Sequence, residues 1–233
     1  SSVKHISKKS IGVLTGEKTS SLSSGELWYF FEQEFKYPVH MLLIEDLESA
    51  LPSLSTLIVP EGQYQFSENK AVLDWIEKGG NLIVIGAAAE SFAGNEVFGL
   101  KIKDADTSNS EKEISYGDVE RQQLSSIVNG AIYPCNIDFS HPLSFGYTDY
   151  FTLRMNSNVY ELKEGSVFKL KKDAIPVSGF VGSKVAKKQT EALIAGVHSI
   201  GSGTVIYFLE NPLFRGFWEN GKLMLVNAIF MVN

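Results

Sequence analysis

The chain has 233 residues, of which 44% are hydrophobic and 21% charged, an ordinary balance for a globular protein with a sizeable core. Its formal net charge of −6, without a long basic stripe, argues against nucleic acid as the main partner. A membrane span is also excluded, because no apolar run reaches the roughly 18 residues that it requires, and the single cysteine excludes an intrachain disulfide.

The N-terminal part of the chain alternates between predicted strands and helices. Short apolar runs predict strands at residues 11–16, 40–44 and 57–59. A helix at residues 25–35 follows the first strand, and Pro38 stops it. A second helix, with Ser67 as its N-cap, follows the third strand and ends at Gly79-Gly80.

The chain is organised around the run NLIVIGAAAESFA, residues 81–93. Leu82 to Ile85 is predicted as a buried central strand that turns through Gly86 into a helix start at Ala87 to Ala89. The order strand, helix, strand, strand, helix, strand implies parallel pairing with right-handed crossovers. The sequence therefore predicts an α/β fold with a doubly wound, mostly parallel sheet.

The second half of the chain is predicted to be richer in antiparallel strands. Residues 101–150 begin with a charged, aperiodic stretch and are interpreted as a surface excursion. A β-rich region is predicted at residues 151–181, a hairpin at 192–198 and 204–209, and a final helix at 221–232. With no repeat or linker visible, residues 1–233 are taken as one domain. Residues 1–9 lack a signal-peptide core, so the chain is expected to be either cytoplasmic or a mature or excised fragment of a longer protein.

Nucleophilic catalysis has little support in the residues. The turn after Ile85 has the architecture of a nucleophile elbow, but it carries no Ser, Cys or Thr. Cys135 is the only thiol and lies in a Pro-flanked stretch outside any predicted elbow. A buried structural cysteine is its expected role, and the nucleophile of a divergent hydrolase is the alternative.

The residues also predict no metal site, no cofactor and no nucleotide-binding motif. Neither GxGxxG nor GxxxxGK[ST] occurs. The histidines are far apart, and none belongs to an HExxH or HxH pair; they are His5, His40, His141 and His198. His141, which precedes Pro142, could cap a turn or line a pocket.

Four glutamates each follow the predicted carboxyl end of a strand; they are Glu17, Glu61, Glu90 and Glu210. In a parallel sheet these ends share one rim, where ligands bind. Converging carboxylates there would be a candidate metal or sugar contact, with His141 as a further member. The alternative interpretation is that they are exposed loop residues. The aromatic segment NPLFRGFW, residues 211–218, is expected to fold back over the sheet edge as core, and an exposed patch there would instead mark an interface.

Several phrases of the sequence carry a family resemblance. The chain resembles the class I glutamine amidotransferase-like fold, which has a flavodoxin-like sheet. The segments that carry this resemblance are, in order, IGVLTG, GELWYFFEQEFKYPV, TLIVPEG and LDWIEKGGNLIVIGAAAESFA. With DFSHPLSFGY and GTVIYFLENPLFRGFWENGKLMLVNAIF, the chain resembles the amidotransferase-like domain found C-terminal to the catalytic domain in bacterial proteins of the M14 zinc carboxypeptidase family. The resemblance spans nearly the whole chain and rests on apolar patterning.

The resemblance carries over few functional residues. Class I amidotransferases place a nucleophilic cysteine in a G-x-C-x-G turn, and the matching window runs from Gly86 to Glu90, with Ala88 at the cysteine position and Glu90 at the second glycine. Gly62 matches an oxyanion-hole glycine. The C-terminal HxE pair has no counterpart, and neither does the HxxE motif of an M14 peptidase.

The resemblance therefore implies a non-catalytic accessory or interaction domain of a larger M14-type carboxypeptidase-like protein. Its implied partners are the peptidase domain of the same parent chain and a second copy in a homodimer. The alternative is an independent domain that binds a small ligand, sugar or peptide, or a hydrolase that uses the carboxylate rim. The third hypothesis is catalysis by Cys135.

Overall fold

The computed structural model describes residues 7–66, 68–103 and 116–232. The strands are β1 (Ile11–Thr15), β2 (His40–Leu43), β3 (Thr56–Val59), β4 (Asn81–Ile85), β5 (Leu100–Ile102), β6 (Val128–Ile137), β7 (Phe151–Arg154), β8 (Tyr160–Leu162), β9 (Ser166–Leu170), β10 (Ser178–Val181), β11 (Leu193–Ile200) and β12 (Gly203–Phe208). The α-helices are α1 (Ser21–Tyr29), α2 (Leu47–Ala50), α3 (Lys70–Glu77), α4 (Tyr116–Ser125), α5 (Ser183–Ala186) and α6 (Glu219–Phe230).

The described strands form a large sheet whose parallel part has the order β2-β1-β3-β4-β12. This is the flavodoxin-like order with β12 as the fifth strand. Strand β4 lies between β3 and β12, and all five of its residues are buried. The prediction of an α/β, mostly parallel, doubly wound sheet is therefore confirmed.

The rest of the sheet is antiparallel. Strands β11 and β12 form the predicted hairpin, in which Ala195 lies opposite Phe208. The sheet continues through β9 and β6 to β10, and β7 pairs with β6 outside this path. Strands β5 and β8 form a separate two-stranded sheet. The antiparallel, β-rich C-terminal part is thus present as expected.

The interpretation of residues 101–150 as a surface excursion is wrong for β6 and for the buried residues after it, whereas residues 101–103 and 117–124 are exposed. Strand β6 lies inside the sheet, with neighbours on both sides, and its Tyr133 is buried. Leu143 and Tyr150, which follow it, are buried too. Residues 104–115, the centre of the proposed excursion, lie outside the described residues.

Two hydrophobic cores lie on opposite faces of the sheet, because successive side chains of a strand point to opposite faces. Ile83 and Ile85 of β4 pack in the core that also contains residues of α1 and α6. Leu82 and Val84 pack in the other, which contains Val72 of α3. Burial of β4 on both faces thus accounts for helices above and below the sheet.

The helix ends differ in detail from the predictions. Helix α1 begins at Ser21, earlier than expected, and continues as a π-helix over Phe30–Phe35. The N-cap of α3 is Asn69, whose side chain accepts a hydrogen bond from Val72 N at 3.1 Å, while the predicted cap Ser67 lies outside the described residues. Among the described residues, no helix has the length and apolar character needed to cross a membrane.

A buried amide ties the central strand to the last helix. Asn81 donates from Nδ2 to the carbonyl oxygen of Ala228 at 2.9 Å, and Thr204 Oγ1 donates to Asn81 Oδ1 at 3.0 Å. Asn81 is buried. Its amide therefore satisfies two polar groups that have no access to water.

Replacing Asn81 with alanine should lower the free energy of unfolding by about 1–3 kcal/mol, because Ala228 O and Thr204 Oγ1 lose a buried partner. Chemical denaturation would measure the change. The matched control is Asn136→Ala on β6, whose side chain is exposed and should change stability little. Equal effects of the two substitutions would contradict the role assigned to the Asn81 amide.

Candidate functional site

The turn after β4 is a sharp elbow without a reactive side chain. Gly86 follows the strand with φ of 57°, a left-handed conformation that favours glycine. The chain then forms a 3₁₀-helix over Gly86–Ser91. Ala88, where the resemblance places the nucleophile, is 1% exposed and packs in the core. Gly86 and Ala87, and not Ala88, line the cleft beside the elbow.

The side chain of Glu61 lies over the elbow. Glu61 follows β3, and α1 fixes its backbone: Glu61 N donates to Ser23 Oγ at 3.2 Å, and Ser20 N donates to Glu61 O at 2.7 Å. A Cβ atom added to Gly86 would lie 2.7 Å from Glu61 Cγ and closer still to Glu61 Oε1. Glu61 therefore fills the space that a side chain at position 86 would need.

Glu210, which closely follows β12, is held in a buried ion pair. Its Oε1 lies 2.8 Å from Arg154 Nη1, and the two side chains are 6% and 1% exposed. Glu210 also accepts hydrogen bonds from Met155 N at 2.9 Å and Asn156 N at 3.4 Å. Burial raises the pKa of Glu210 to about 7, against the lowering effect of the Arg154 guanidinium and the backbone N–H groups.

Residues 155–158, the loop after β7, border the cleft. Besides the two bonds to Glu210, Arg154 Nη2 donates to Asn158 O at 2.8 Å. Asn158 Nδ2 donates to Glu90 Oε1 at 2.8 Å. The loop is thus fastened to the carboxyl ends of β4 and β12. It forms one wall of an open cleft of about 300 Å³ lined by Glu61, Gly86, Ala87, Met155, Asn156, Ser157, Leu209 and Glu210.

The Glu61 carboxylate differs from its acidic neighbours in its partners. Glu26 accepts from Asn211 Nδ2 at 2.7 Å and from Arg215 N at 2.6 Å. In the described part of the chain, no group donates a hydrogen bond to the Glu61 carboxylate. Burial, and to a smaller extent the charge of Glu26, raises the pKa of Glu61. The cleft thus contains an acceptor without a donor from the described residues.

The predicted carboxylate rim assembles only in part. Glu61 and Glu210 share the cleft, and Glu90 joins it through Asn158. Glu17 lines a separate cavity of about 530 Å³, at the carboxyl ends of β1 and β2, together with Thr15, Gly16, Lys18, Leu43, Ile44 and Glu45.

The two remaining rim residues serve local structure. Gly62 forms a β-bridge with Thr19. His141 accepts a hydrogen bond from Leu143 N through Nδ1 at 3.1 Å, capping the 3₁₀ turn that starts at Pro142. Burial is the main cause that lowers the pKa of His141. His141 lines neither cavity described above.

Sequence reasoning did not find Arg154, Asn156 or Ser157. Arg154 lies in the predicted β-rich region, and nothing in its neighbourhood marks it as the partner of a glutamate near the end of the chain. Only the pairing of β7 with β6 and the position of Glu210 after β12 bring the two charges together. The contact is tertiary, so a local pattern could not predict it.

Cys135 lies in β6 and is 7% exposed. Burial raises the pKa of its thiol to about 12, so the thiolate is scarce at neutral pH. This environment favours the structural role over the nucleophilic one. Among the described residues, no group of three or more His, Cys, Asp or Glu side chains is arranged to hold a metal ion; His5 lies outside them.

Comparison with known proteins gives the fold. No family model and no curated protein matches the chain. Among solved structures, it is similar to a protein described as ThuA-like from Parabacteroides merdae, with a TM-score of 0.60, 13% identity and coverage of 95% of this chain and 89% of that one. It is also similar to a protein from Thermoplasma acidophilum described as a GMP synthase subunit, with a TM-score of 0.56, 11% identity and coverage of 95% and 92%.

A third similar structure is the exo-β-1,4-mannosidase Op5Man5 from Opitutaceae bacterium strain TAV5, with a TM-score of 0.53 and 12% identity. The match covers 98% of this chain and 37% of the mannosidase. At such identities the likeness shows the fold alone. The chain therefore has a glutamine amidotransferase-like, flavodoxin-like α/β fold, as the resemblance implied.

Glu210→Gln should lower the free energy of unfolding by about 3–5 kcal/mol, because it leaves the Arg154 guanidinium buried without a counter-charge. A double-mutant cycle is built from Arg154→Met, Glu210→Leu and the variant that carries both. The double variant should lose less unfolding free energy than the two single variants lose in sum. Denaturant titration would measure the cycle, with the exposed Glu164→Gln as the control. Additive effects would contradict the ion pair.

Stability should fall as the pH rises through the range in which Glu61 titrates. Its folded-state pKa lies above the ordinary value of 4.5, so the folded chain holds this proton more tightly than the unfolded chain. The contribution of Glu61 to the unfolding free energy therefore decreases above about pH 4.5. The stability of Glu61→Gln relative to the unsubstituted chain should therefore increase as the pH rises from 4.5 to 7. Urea unfolding at several pH values would measure this difference. A difference in unfolding free energy that shrinks or stays constant over this range would contradict the prediction.

A thiol reagent should modify Cys135 in the unfolded chain and not in the native one, because the folded chain buries the side chain of Cys135. Absorbance of the released chromophore, followed with and without denaturant, would measure this. Rapid stoichiometric labelling of the native chain would contradict the burial of the thiol.

Proposed function

We propose that this chain is a non-catalytic, glutamine amidotransferase-like domain that serves as an accessory or interaction module of a larger protein. The supporting observation is the elbow after β4. Its left-handed residue is Gly86, and the Glu61 side chain lies in the space above it. At Ala88, the nucleophile position that the resemblance gives, the side chain is 1% exposed and has no reactive atom, whereas nucleophilic catalysis needs an activated nucleophile with a base within hydrogen-bond reach.

The rest of the cleft agrees with an absence of covalent chemistry. Neither His nor Cys is among its lining residues, and its only hydroxyl side chain is Ser157, on the loop after β7. Glu210, a possible base, is already engaged by Arg154 and two backbone N–H groups. Glu61 is the carboxylate of the cleft that stays free to act as a base, but the lining residues give it no histidine or thiol to act with.

The role as a module of a longer chain is supported by the mannosidase comparison. There a fold of this kind accounts for about a third of a longer enzyme, since the match covers 37% of that chain. For the present protein, the sequence resemblance points to a parent of the M14 zinc carboxypeptidase family, in which the peptidase domain would be the partner and export from the cytoplasm is expected. The full coding sequence tests this parentage: an HxxE-containing peptidase domain upstream supports it, and a different neighbouring domain overturns it.

The alternative function is binding of a small ligand, a sugar or a peptide, in the cleft. One observation favours it: the Glu61 carboxylate faces the cleft without a donor from the described chain. A ligand hydroxyl or ammonium group would supply that donor. Ligand binding needs no nucleophile, so it is compatible with an elbow that has no reactive side chain.

The non-catalytic proposal predicts that the purified chain shows no turnover of glutamine, peptide or ester substrates. Gly86→Cys should remain inactive, because the new side chain overlaps Glu61. Gly86→Cys with Glu61→Ala should also be inactive, because the space is opened but no histidine base is gained. Turnover by the unsubstituted chain that disappears when a single cleft residue is replaced would overturn the proposal.

Ligand binding predicts a rise in melting temperature that grows with ligand concentration. Thermal unfolding with monosaccharides, disaccharides and short peptides would measure it. Glu61→Gln should abolish the rise, and Glu17→Gln, which alters the other cavity, should not. A rise that is the same in both variants would exclude the cleft as the site.

A further inference from the structure

One edge of the sheet is formed by the connection between β9 and β11, residues 171–191, which is called the β10 surface below. It contains β10, the last strand on this side of the sheet, and α5. Its two ends meet where Leu170 N donates to Ala192 O at 2.9 Å. Three of its residues are buried, namely Gly182, Val185 and Gln189. The others are at least partly exposed, so most of the connection is accessible to a partner.

The β10 surface is basic, although the chain as a whole is acidic. It contains five lysines and two acidic residues, Asp173 and Glu191, which gives it a formal charge of +3. The whole chain has a formal charge of −6, so the residues outside this surface carry −9. In the part of the chain that the structure describes, no residue forms an ion pair with any of the five lysines, which are Lys171, Lys172, Lys184, Lys187 and Lys188. Their charges are therefore available to a partner.

The charged residues of neighbouring elements do not cancel this charge. Helix α4 contacts α5 and carries Asp118, Glu120 and Arg121, a formal charge of −1. The β10 surface and α4 together therefore keep a charge of +2. Lys169, exposed on β9 two residues before Lys171, adds a further positive charge. At physiological ionic strength the field of an exposed charge fades over about 8 Å, so a partner on this surface senses the local charge more than the net charge of the chain.

Exposed apolar side chains lie among these lysines. Ile175, Val177 and Phe180 are 78%, 62% and 48% exposed. Ile175 and Val177 flank Pro176, whose ring restricts the backbone, and Val177 N donates to Ile132 O of β6 at 2.8 Å. The apolar side chains are thus carried by a segment that is fixed to the sheet, which lowers the entropy cost of binding. A group of exposed apolar residues of this kind marks an interaction surface.

We propose that the β10 surface docks on an anionic lipid bilayer, with its lysines at the headgroups and Ile175, Val177 and Phe180 in the interfacial region. A lipid surface is complementary to both kinds of side chain, because anionic headgroups attract lysines and the interface takes up apolar side chains. A nucleic acid would use the lysines but would leave Ile175 and Val177 in water, since it offers phosphates and stacking bases. The proposal does not depend on the elbow or on a ligand in the cleft.

Co-sedimentation of the purified chain with vesicles tests the proposal. Vesicles of phosphatidylcholine and phosphatidylglycerol in equal parts should bind the chain, whereas vesicles of phosphatidylcholine alone should not, because they offer no negative surface potential to the lysines. Binding should weaken in about 1 M NaCl, where the Debye length falls to about 3 Å. A chain that stays in the supernatant with the anionic vesicles overturns the proposal, as does equal binding to both kinds of vesicle.

Charge variants locate the binding surface. The triple variant Lys184→Gln, Lys187→Gln and Lys188→Gln should lower the partition coefficient onto the anionic vesicles at least about tenfold. The matched control has the same change in net charge at exposed lysines outside the surface, as Lys70→Gln, Lys78→Gln and Lys101→Gln, and should bind as the unsubstituted chain does. All six side chains are at least partly exposed, so the melting temperature should change little. Equal losses in the two triple variants would contradict the proposal.

Apolar variants separate a lipid from a nucleic acid. Ile175→Ser with Val177→Ser should lower the partition coefficient at least about fivefold, because fewer apolar side chains leave water. The control is Leu22→Ser with Phe217→Ser, since these residues are 76% and 60% exposed elsewhere on the chain. The expectation that the aromatic segment 211–218 folds back as core is wrong for Phe217. Tighter binding to a DNA duplex than to the vesicles, unchanged by Ile175→Ser with Val177→Ser, would overturn the proposal.

A fluorescent label tests the depth of the apolar side chains directly. Because Cys135 is buried, a cysteine introduced as Ile175→Cys can be labelled selectively with an environment-sensitive dye. Its emission should increase and shift to shorter wavelength with the anionic vesicles, whereas the same dye at Leu22→Cys should not respond. An equal response at the two positions, or none at Ile175→Cys in a chain that sediments with the vesicles, would contradict the proposed orientation.

Discussion

Burial of β4 on both faces is the constraint on which the rest of the structure depends. An apolar strand of this kind must be covered from both sides, so helices lie above and below the sheet and the neighbouring strands run parallel to it. The same constraint places the turn at Gly86 at the carboxyl edge, where open α/β sheets place their ligands. The functional question is therefore set by what surrounds this turn.

The charged residues around this turn make structural contacts with one another. Glu61 covers Gly86, and Glu210 is buried against Arg154. The loop over residues 155–158 forms one wall of the cleft and is held by bonds to Glu210 and Glu90. The polar groups of this edge are largely satisfied by one another, except for the Glu61 carboxylate. This combination is the basis of the proposal that the chain is a non-catalytic module.

Much of the fold could be predicted because its strands are short apolar runs bounded by glycine and polar residues. Strand β6 was missed because Pro134 interrupts its pattern and its partners are distant in the chain. In the site, Glu61 and Glu210 could be found, since each follows a predicted strand. Arg154 could not, because its role comes from a tertiary contact, and Phe217 was misjudged because an aromatic side chain alone does not show whether a partner covers it.

The central claim is that the elbow has no nucleophile, and mass spectrometry of the intact chain tests it most directly. The chain would be incubated with an electrophilic glutamine analogue that alkylates amidotransferase nucleophiles, and the masses before and after would be compared. The account predicts an unchanged mass, because Gly86 and Ala87 offer no reactive atom and Cys135 is buried. A stoichiometric adduct on a residue that lines the cleft would contradict it.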